Sequence, residues 1–465
     1  VFKTVMNVFQ NTNHPCVVKH GACLALGLIE MGSQNIDCYR TVRDILNYSD
    51  KMPEAGEAAG YAIGMIMLGC GMASPQDENE PSDKPLIVDI LEYATNCPHE
   101  KVTRGLSMAL ALMMYGKEEE SETLVHQLQI SRIPLLRESA AWVLALAYVG
   151  TASKKALKLL LHYAVSDVNP DVRRAAVIGV GFVLSRSPRE VPGMVDLLAK
   201  SYHPHVRSGA ALALGIACAG TGMEEAIKIL DPLLGDNEKE DFVKQSAMIA
   251  MAMVLQQQSD EAVPYTKQFR QYLRGMINKK RTDLQVFGLC LAYGILNAGG
   301  RNVVISCNSL RNENSVLATV ALSLFCNYFY WHPLALMLPL AFHPTAIIGL
   351  DSELQIAEWN ILSKGNSRLY ANPPSYKDET EIPQMASKVA LSVNHGTTLR
   401  EIREARVNEK EKQQQEETLH EQLEEEKKNE PQYEILDNPS RVTLNQLAGI
   451  DFSFDNRYIP VTGEV

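Results

Sequence analysis

The chain has 465 residues, of which 46% are hydrophobic, 21% are charged and only 7% are aromatic. This length suits several ordinary domains or one long repeat array, and the small, unbranched core residues favour packed helices over a β-sandwich. The net charge of −11 argues against a protein that binds nucleic acid broadly, and nine cysteines without a CxxC pair indicate reduced thiols.

A twelve-residue pattern recurs along the first 300 residues, and it begins with a small residue, continues as an apolar run and closes with another small residue. Its clearest copies are GACLALGLIEMG (21–32), GAALALGIACAG (209–220) and GLCLAYGILNAG (288–299). Eight copies follow one another at intervals near 35 residues, which is the length of one helical hairpin. The pattern therefore predicts an array of helical hairpins. The chain opens inside a helical pattern, and we expect it to be an internal piece of a longer protein.

The small residues of this pattern are the candidate structural site. A glycine inside a helix costs about 0.5–1 kcal/mol relative to alanine, so we expect close helix contacts to offset that cost. Prolines ahead of six copies and glycines at the ends predict where helices begin and end. The seventh positions are Gly27, Gly64, Ala111, Ala145, Gly181, Gly215, Ala252 and Gly294. The other predicted positions are Gly21, Gly32, Gly60, Gly69, Gly105, Gly116, Gly150, Gly209, Gly220, Gly288 and Gly299.

The predicted domains follow from where this pattern stops. Residues 1–305 are the helical repeats, with a solvated insertion at 73–85. Residues 306–342 are predicted as an apolar helical hairpin, with two helices over 316–342 broken at His332-Pro333, which closes or fills the array. A membrane-associated hairpin at 316–342 is the alternative from another class of protein. Prolines, histidines and an asparagine interrupt this stretch, which favours the buried hairpin.

The remaining residues read as strands separated by a charged run. Short alternating segments at 343–376 and 433–465 predict one small β-rich module. Residues 377–432 contain no aromatic residue and are dense in mixed charge in their second half, which predicts a charged linker that is either disordered or a solvated single helix.

The sequence gives no positive sign of catalysis, and we expect no catalytic, cofactor-binding or metal-binding residues. The calcium-loop-like start at Asp167, Asn169 and Asp171 lacks the glycine and the glutamate that such a loop requires, so Asn169 reads as a helix N-cap. Basic residues recur just before the small residues. We expect them to bridge to carboxylates of the adjacent repeat, and a basic stripe that contacts acidic partners is the alternative. These residues are Lys19, Arg104, Arg137, Arg173, Arg174 and Arg207.

Several blocks together resemble a known family. The repeat itself, SDVNPDVRRAAVIGVGFVLSRSP (166–188), YHPHVRSGAALALGIACAGTG (202–222), HPTAIIGLDSEL (343–354) and ILDNPSRV (435–442) are similar to the proteasome/cyclosome repeat family. Within that family they resemble the large non-ATPase scaffolds of the proteasome regulatory particle. The sister scaffold that binds shuttle factors and the largest cyclosome subunit are the alternatives within the same fold.

The resemblance implies an all-α solenoid closed into a toroid of two concentric helix layers, with axial helices in its centre and a small C-terminal β module. It also implies a non-catalytic scaffold for ubiquitin-dependent protein degradation, without cofactors, in the cytoplasm and nucleus. The implied partners are the other regulatory-particle subunits, namely the ATPase ring, the lid, the deubiquitylase and the ubiquitin receptor. Nucleic acid, a membrane and a second copy of the chain are not expected partners.

Overall fold

The computed structural model divides the chain into two compact units. The first comprises Val1–Gln257 and Gln268–Thr345, and the second comprises Gln258–Lys267 and Ala346–Val465. The structure describes residues 2–10, 14–47, 51–72, 85–235, 237–277, 282–309, 313–328, 330–372 and 432–455. The predicted insertion at 73–85 and the predicted charged linker at 377–432 lie outside the described residues, apart from their last positions.

In the described residues, sixteen α-helices form the repeat array, and each predicted copy falls on an even-numbered helix. The even-numbered helices are α2 (Cys16–Ile29), α4 (Pro53–Ile66), α6 (Glu100–Met113), α8 (Pro134–Ala147), α10 (Pro170–Val183), α12 (Pro204–Ala217), α14 (Asp241–Val254) and α16 (Asp283–Asn297). The odd-numbered helices are α1 (Phe2–Gln10), α3 (Ile36–Leu46), α5 (Leu86–Asn96), α7 (Glu122–Gln129), α9 (Lys154–Ser166), α11 (Val191–Ala199), α13 (Glu224–Leu234) and α15 (Tyr265–Ile277).

Local sequence explains where these helices begin. Proline occupies the first turn of α4, α8, α10 and α12, where its missing N–H would be unpaired in any case. The side chain of Asn169 accepts hydrogen bonds from the backbone N–H groups of Asp171 and Val172, so it caps α10. The same sequence signals recur in successive copies, and therefore the helices start at equivalent points of each repeat.

The helices form two layers because their apolar content differs. Each even-numbered helix packs against the next even-numbered helix, from α2 to α16, and those from α2 to α14 are also covered by an odd-numbered neighbour. Nearly every residue in the second half of α4, α6, α8, α10, α12 and α14 is buried. A helix that is apolar on all sides needs neighbours on all sides, and this requirement places the even-numbered helices inside. The predicted helical-repeat fold is confirmed.

The predicted hairpin at 306–342 needs correction. Only its first half is an α-helix, α17 (Val316–Asn327), which contacts α6 and α10. The second half, Ala335–Ala341, is a 3₁₀ helix that contains Pro339. A proline inside a helix removes a hydrogen bond and clashes with the preceding turn, so a second α-helix does not form here.

The predicted boundaries around the β module also need correction. Strand β1 (Val303–Ile305) lies inside the span predicted as helical, and it pairs antiparallel with β2 (Phe342–Pro344) in the first unit. The C-terminal part of the second unit therefore begins at Ala346, whereas the predicted β module begins at residue 343. The second unit also includes Gln258–Lys267. Pairing between residues almost forty positions apart is not visible in a local pattern of alternation.

The second unit is built on a small antiparallel sheet. Its central strand β4 (Asn360–Lys364) pairs with β5 (Tyr433–Asp437) and β7 (Ile450–Asp451), while β3 (Ala346–Ile347) pairs with β6 (Ser440–Arg441). Two short helices, α18 (Ser367–Tyr370) and α19 (Leu444–Leu447), complete it. Its core consists of Ile361, Leu436 and Val442. Strands from both predicted segments, 343–376 and 433–465, therefore pair with one another in this unit.

Candidate functional site

The predicted small residues mostly lie where two even-numbered helices touch, and they do so in a constant register. The seventh residue of one copy faces the fifth residue of the next copy. An added methyl group at Gly27, Gly64, Gly181 or Gly215 would lie 2.6–2.8 Å from the Cα atom of the facing alanine, far inside ordinary carbon contact. The resulting pairs are Gly27–Ala62, Gly64–Ala109, Ala145–Gly179, Gly181–Ala213 and Gly215–Ala250.

Two of the predicted positions inside helices do not lie at helix contacts, and the same register explains both. The first residue of a copy faces the preceding even-numbered helix, as Gly209 faces α10 and Gly288 faces α14. Gly21 belongs to the first copy, which has no preceding even-numbered helix, and Gly294 belongs to the last copy, which has no following one. Neither glycine has an atom within 4 Å of an added Cβ, and both are exposed. The expectation of close approach is therefore wrong at the two ends of the array.

The closing glycines connect each repeat to the next through the backbone. They have φ angles between 65° and 72°, a region that residues with a Cβ avoid. Each donates its N–H to a carbonyl near the end of the following even-numbered helix, and so satisfies a group that the helix itself leaves unpaired. These bonds are Gly32 to Met65, Gly69 to Leu112, Gly116 to Leu146, Gly150 to Phe182 and Gly220 to Met253.

Arginines two residues before the first small residue clamp adjacent repeats. Arg137 donates to the carboxylate of Asp167 at 2.9 Å, and Arg207 donates two bonds of 2.7 Å to Glu238. Burial disfavours the ionised form of Glu238, but the hydrogen bonds and charge of Arg207 outweigh it and hold the pKa of that carboxyl below its usual value. The predicted bridge between repeats is confirmed for Arg137 and Arg207.

The residues one position before the first small residue do not bind the neighbouring turn as Arg137 and Arg207 do. Their side chains face the centre of the array and form a polar hub there. One residue along a helix rotates the side chain by about 100°, so this position faces α17 and the residues after it instead of the neighbouring turn. We define the hub as Glu57, Arg104, Glu138, Arg174 and Gln245, which belong to α4, α6, α8, α10 and α14. The expected carboxylate bridge is therefore wrong for Arg174, whose guanidinium is buried and donates to the carbonyl of Cys326 at 3.0 Å.

The hub holds one short segment, residues 326–331, from several repeats at once. The Tyr328 hydroxyl donates to Glu57 at 2.6 Å and accepts from Arg104 at 2.7 Å. Gln245 donates to the carbonyl of Tyr330. From the last copy, Phe287 packs edge-on against Trp331, with ring centroids 6.0 Å apart.

These contacts require the array to curve around the segment. Six residues span at most about 20 Å. Seven helices set side by side at 8–10 Å, from α4 to α16, would extend about 50–60 Å in a straight row. Because helices at both ends of that row contact residues 326–331, the row is bent around them. Closure of the array into a complete ring stays a prediction.

The other end of α17 is also tied to the repeats. Asn308 donates to the carbonyl of Ser185 at 2.9 Å, and Asn314 donates to the carbonyl of Val149 at 2.9 Å. Both acceptors lie just after the ends of even-numbered helices, α10 and α8. Polar side chains therefore fix the apolar helix α17 at both ends, while its middle is buried among apolar residues.

Burial sets the protonation of the hub. Burial and the neighbouring carboxylate of Asp171 raise the pKa of Glu138 to about 7, against the opposing charge of Arg174. Burial also raises the pKa of Glu57, although the hydrogen bond from Tyr328 opposes the shift. A cavity of about 520 Å³ lies beside these groups and is lined by Arg104, Glu138 and Arg174 among others. The hub therefore contains buried acids and bases that hold residues of the central segment or of their own helices, as Glu57 binds Tyr328 and Glu138 binds Trp142.

Within the described part of the chain, no cluster of three or more His, Cys, Asp or Glu side chains is arranged to bind a metal ion. None of the helices in that part combines the length and the apolar character needed to cross a bilayer.

Two family models match the chain. Residues 345–465 match the C-terminal domain of the 26S proteasome regulatory subunit RPN2, and residues 157–252 match HEAT repeats. The first match covers the β module, and the second covers the centre of the helical array.

Curated relatives match most of the chain. The 26S proteasome non-ATPase regulatory subunit 1 of Drosophila melanogaster is 43% identical over 86% of this chain and 38% of its own length. Homolog B of that subunit in Arabidopsis thaliana is 39% identical over 96% of this chain and 45% of its own length. The regulatory subunit rpn2 of Schizosaccharomyces pombe is 37% identical over 96% of this chain and 47% of its own length.

The chain thus spans less than half the length of these curated relatives. The names of these relatives favour the large non-ATPase scaffold of the regulatory particle over the two alternatives within the same fold, which are the scaffold that binds shuttle factors and the largest cyclosome subunit. Over the length that it covers, the chain belongs to the family of 26S proteasome non-ATPase regulatory subunit 1, also named RPN2.

Proposed function

We propose that this chain is part of a non-catalytic scaffold subunit of the proteasome regulatory particle, which organises the ATPase ring, the lid and the ubiquitin receptor for ubiquitin-dependent degradation. The observation that carries the proposal is the curved array held around residues 326–331 by side chains from α4 to α16. Such an array presents the outer surfaces of many repeats in a fixed relation to one another, and a scaffold needs this property. The relatives' names supply the assembly.

The polar hub supports a structural role over a catalytic one. Its side chains bind the central segment, since Glu57 accepts from Tyr328 and Arg174 donates to the carbonyl of Cys326. Arg104 lies over the ring of Tyr328, 4.8 Å from its centroid, while it donates to the hydroxyl of the same residue.

Affinity purification of the full-length protein from its native cells tests this proposal. We expect the proteasomal ATPases and lid subunits to be recovered in constant ratio to the tagged protein, as quantified by mass spectrometry. Arg174→Ala should lower that recovery because it leaves the Cys326 carbonyl without its buried donor. The matched control is Arg189→Ala, at an exposed position of the same repeat region. Reproducible absence of the ATPases from the unsubstituted sample would contradict the proposal.

The cytoplasm and the nucleus are the proposed compartments, since the nine cysteines show no paired spacing and the relatives are proteasome subunits. Imaging of the full-length protein with a fluorescent tag checks this assignment, and accumulation in the secretory pathway would contradict it.

A further inference from the structure

An exposed hairpin follows strand β3 in the second unit. Leu350 and Ile356 form an antiparallel bridge across this hairpin. Backbone hydrogen bonds lie on both sides of the bridge, and in such a pair the Cα atoms are about 4.5 Å apart and the two side chains are adjacent on one face. These bonds join the Asp351 N–H to the Gln355 carbonyl at 2.9 Å and the Ala357 N–H to the Gly349 carbonyl at 3.2 Å.

The hairpin exposes several apolar side chains together. We define the apolar hairpin as residues 348–356. Leu350 is 52% exposed and its cross-strand partner Ile356 is 61% exposed. Ile348, two residues before the bridge, is 59% exposed, and Leu354 at the tip is 77% exposed. Apolar side chains that are exposed together, instead of singly, indicate an interaction surface.

The fold does not require a leucine at the tip. Leu354 has a φ angle of 61°, a left-handed conformation that costs a residue with a Cβ about 1–2 kcal/mol and that glycine adopts without this cost. Because its side chain is mostly exposed, burial does not offset the strain. The backbone and the core would both accept a small residue at this position. The leucine therefore serves something other than the fold of the unit.

Hydrogen bonds fix the hairpin before any partner binds. At the tip, the carboxylate of Asp351 accepts from the backbone N–H groups of Glu353 and Gln355, each at 2.9 Å. At the base, the side chain of Asn438 accepts from the Gly349 N–H and donates to the Gly349 carbonyl, each at 2.7 Å. A surface that is ordered before binding loses little conformational entropy when a partner docks.

Carboxylates accompany these apolar side chains. Asp351, Glu353 and Glu358 lie in or beside the hairpin, and residues 345–363 contain no Lys or Arg. No described basic side chain forms an ion pair with any of the three carboxylates. In its described residues the second unit has nine Asp and Glu against four Lys and Arg. A basic partner therefore meets complementary charge, whereas nucleic acid and an anionic membrane meet charge of their own sign.

We propose that the apolar hairpin is the docking surface for a basic segment of a partner protein that also carries apolar side chains. Leu350, Leu354 and Ile356 supply the apolar contact, and the exposed carboxylates of Glu353 and Glu358 select for Lys and Arg beside it. The proposal rests on the scaffold function proposed above, because a scaffold holds its partners through surfaces of this kind.

Photo-crosslinking in the full-length protein within its native complex tests the proposal. A benzophenone amino acid replaces Ser352 or Gln355, one position per sample, because both side chains are exposed and polar and their loss leaves the apolar contact intact. Crosslinked peptides are mapped by mass spectrometry. We expect both samples to crosslink one segment of a single partner, in a sequence with an excess of Lys and Arg over Asp and Glu. The same amino acid at Val168, which is 89% exposed in the repeats, should not reach that segment.

Two double variants separate the apolar contact from the charge. Leu354→Ser/Ile356→Ser and Glu353→Lys/Glu358→Lys should each reduce the crosslink from position 352 at least tenfold. The matched control Glu119→Lys/Glu225→Lys makes the same change of charge at exposed positions of the repeats and should leave the crosslink unchanged. Because every substituted side chain is exposed, the urea midpoint should not fall in any of these variants.

Each other outcome overturns the proposal. Crosslinks to an acidic segment, to another part of the same chain, to a second copy or to no protein would each remove the basic partner. A crosslink that persists in Glu353→Lys/Glu358→Lys would remove the selection by charge. Recovery of the ATPases is measured in parallel. Normal ATPase recovery without the crosslink refutes the docking surface alone, whereas absence of the ATPases from the unsubstituted sample refutes the scaffold function.

Discussion

The seventh-position glycines allow a paired test, because one of them has a close neighbour and another has none. Gly215 of α12 faces α14, and an added methyl group would lie 2.8 Å from the Cα of Ala250 and 2.9 Å from its Cβ. Gly294 occupies the same position in the last copy and has no atom within 4 Å of an added Cβ. Both residues lie inside helices. We compare Gly215→Ala with Gly294→Ala.

The two substitutions should change stability in opposite directions. Alanine removes the helix penalty of glycine, which stabilises the Gly294→Ala variant by about 0.5–1 kcal/mol. The same gain applies at Gly215, but ordinary carbon contacts lie at about 3.5–4.0 Å, so α12 and α14 must separate by close to 1 Å. Overpacking of this kind costs about 1–3 kcal/mol. The net expectation is a loss of up to about 2 kcal/mol at Gly215 and a difference between variants of about 1–3 kcal/mol.

Urea and thermal unfolding of the 465-residue chain measure the difference between the variants. Repeat arrays also open locally, so amide hydrogen exchange in α12 and α14 should report faster opening in Gly215→Ala and no change in Gly294→Ala. Equal stabilisation by both substitutions would refute the reasoning, because it would mean that the helices do not approach closely at Gly215.

Three further substitutions test other parts of the array. Arg207→Lys should destabilise the chain by about 1–3 kcal/mol in urea unfolding, because lysine cannot make both bonds to Glu238; an unchanged midpoint would exclude a clamp. Gly116 has φ 68° and open space around an added Cβ, so only backbone strain opposes a side chain there. Gly116→Ala should cost about 1–2 kcal/mol of stability and Gly116→Asn should cost less. Equal urea midpoints for the two variants would exclude backbone strain as the cause. Burial raises the pKa of Glu138 from 4.5 to about 7. Between these two pH values the carboxyl is protonated in the folded chain but ionised in the unfolded chain. The folded chain therefore loses stability as the pH rises from 4.5 to about 7. The gain in stability of Glu138→Gln over the unsubstituted chain should therefore grow by up to about 3 kcal/mol between pH 5 and pH 8, unlike that of Glu225→Gln at an exposed site, and a difference that does not vary with pH would refute it.

The position of the basic residues shows how far the sequence could predict the site. Arg137 and Arg207 stand two residues before the first small residue, and Arg104 and Arg174 stand one residue before it. Their common place just ahead of the small residues predicts a single role for all four arginines. The sequence shows this offset of one residue, which turns the side chain to another face of the helix. It does not show which group lies opposite that face. For Arg174 the group is the carbonyl of Cys326, 152 residues away in the chain.

The sequence by itself determined the helical array, its period and the residues at its close contacts, because these depend on local patterns that repeat. Helix starts follow from proline and N-cap residues, and closing glycines follow from the left-handed backbone that only they adopt without strain. Only the tertiary structure decided that Gly21 and Gly294 lack neighbours, that β1 pairs with β2, and that residues 326–331 are bound by side chains from α4 to α16. Each of these features joins residues that are distant in the chain, and the energy of such contacts depends on which elements become neighbours after folding.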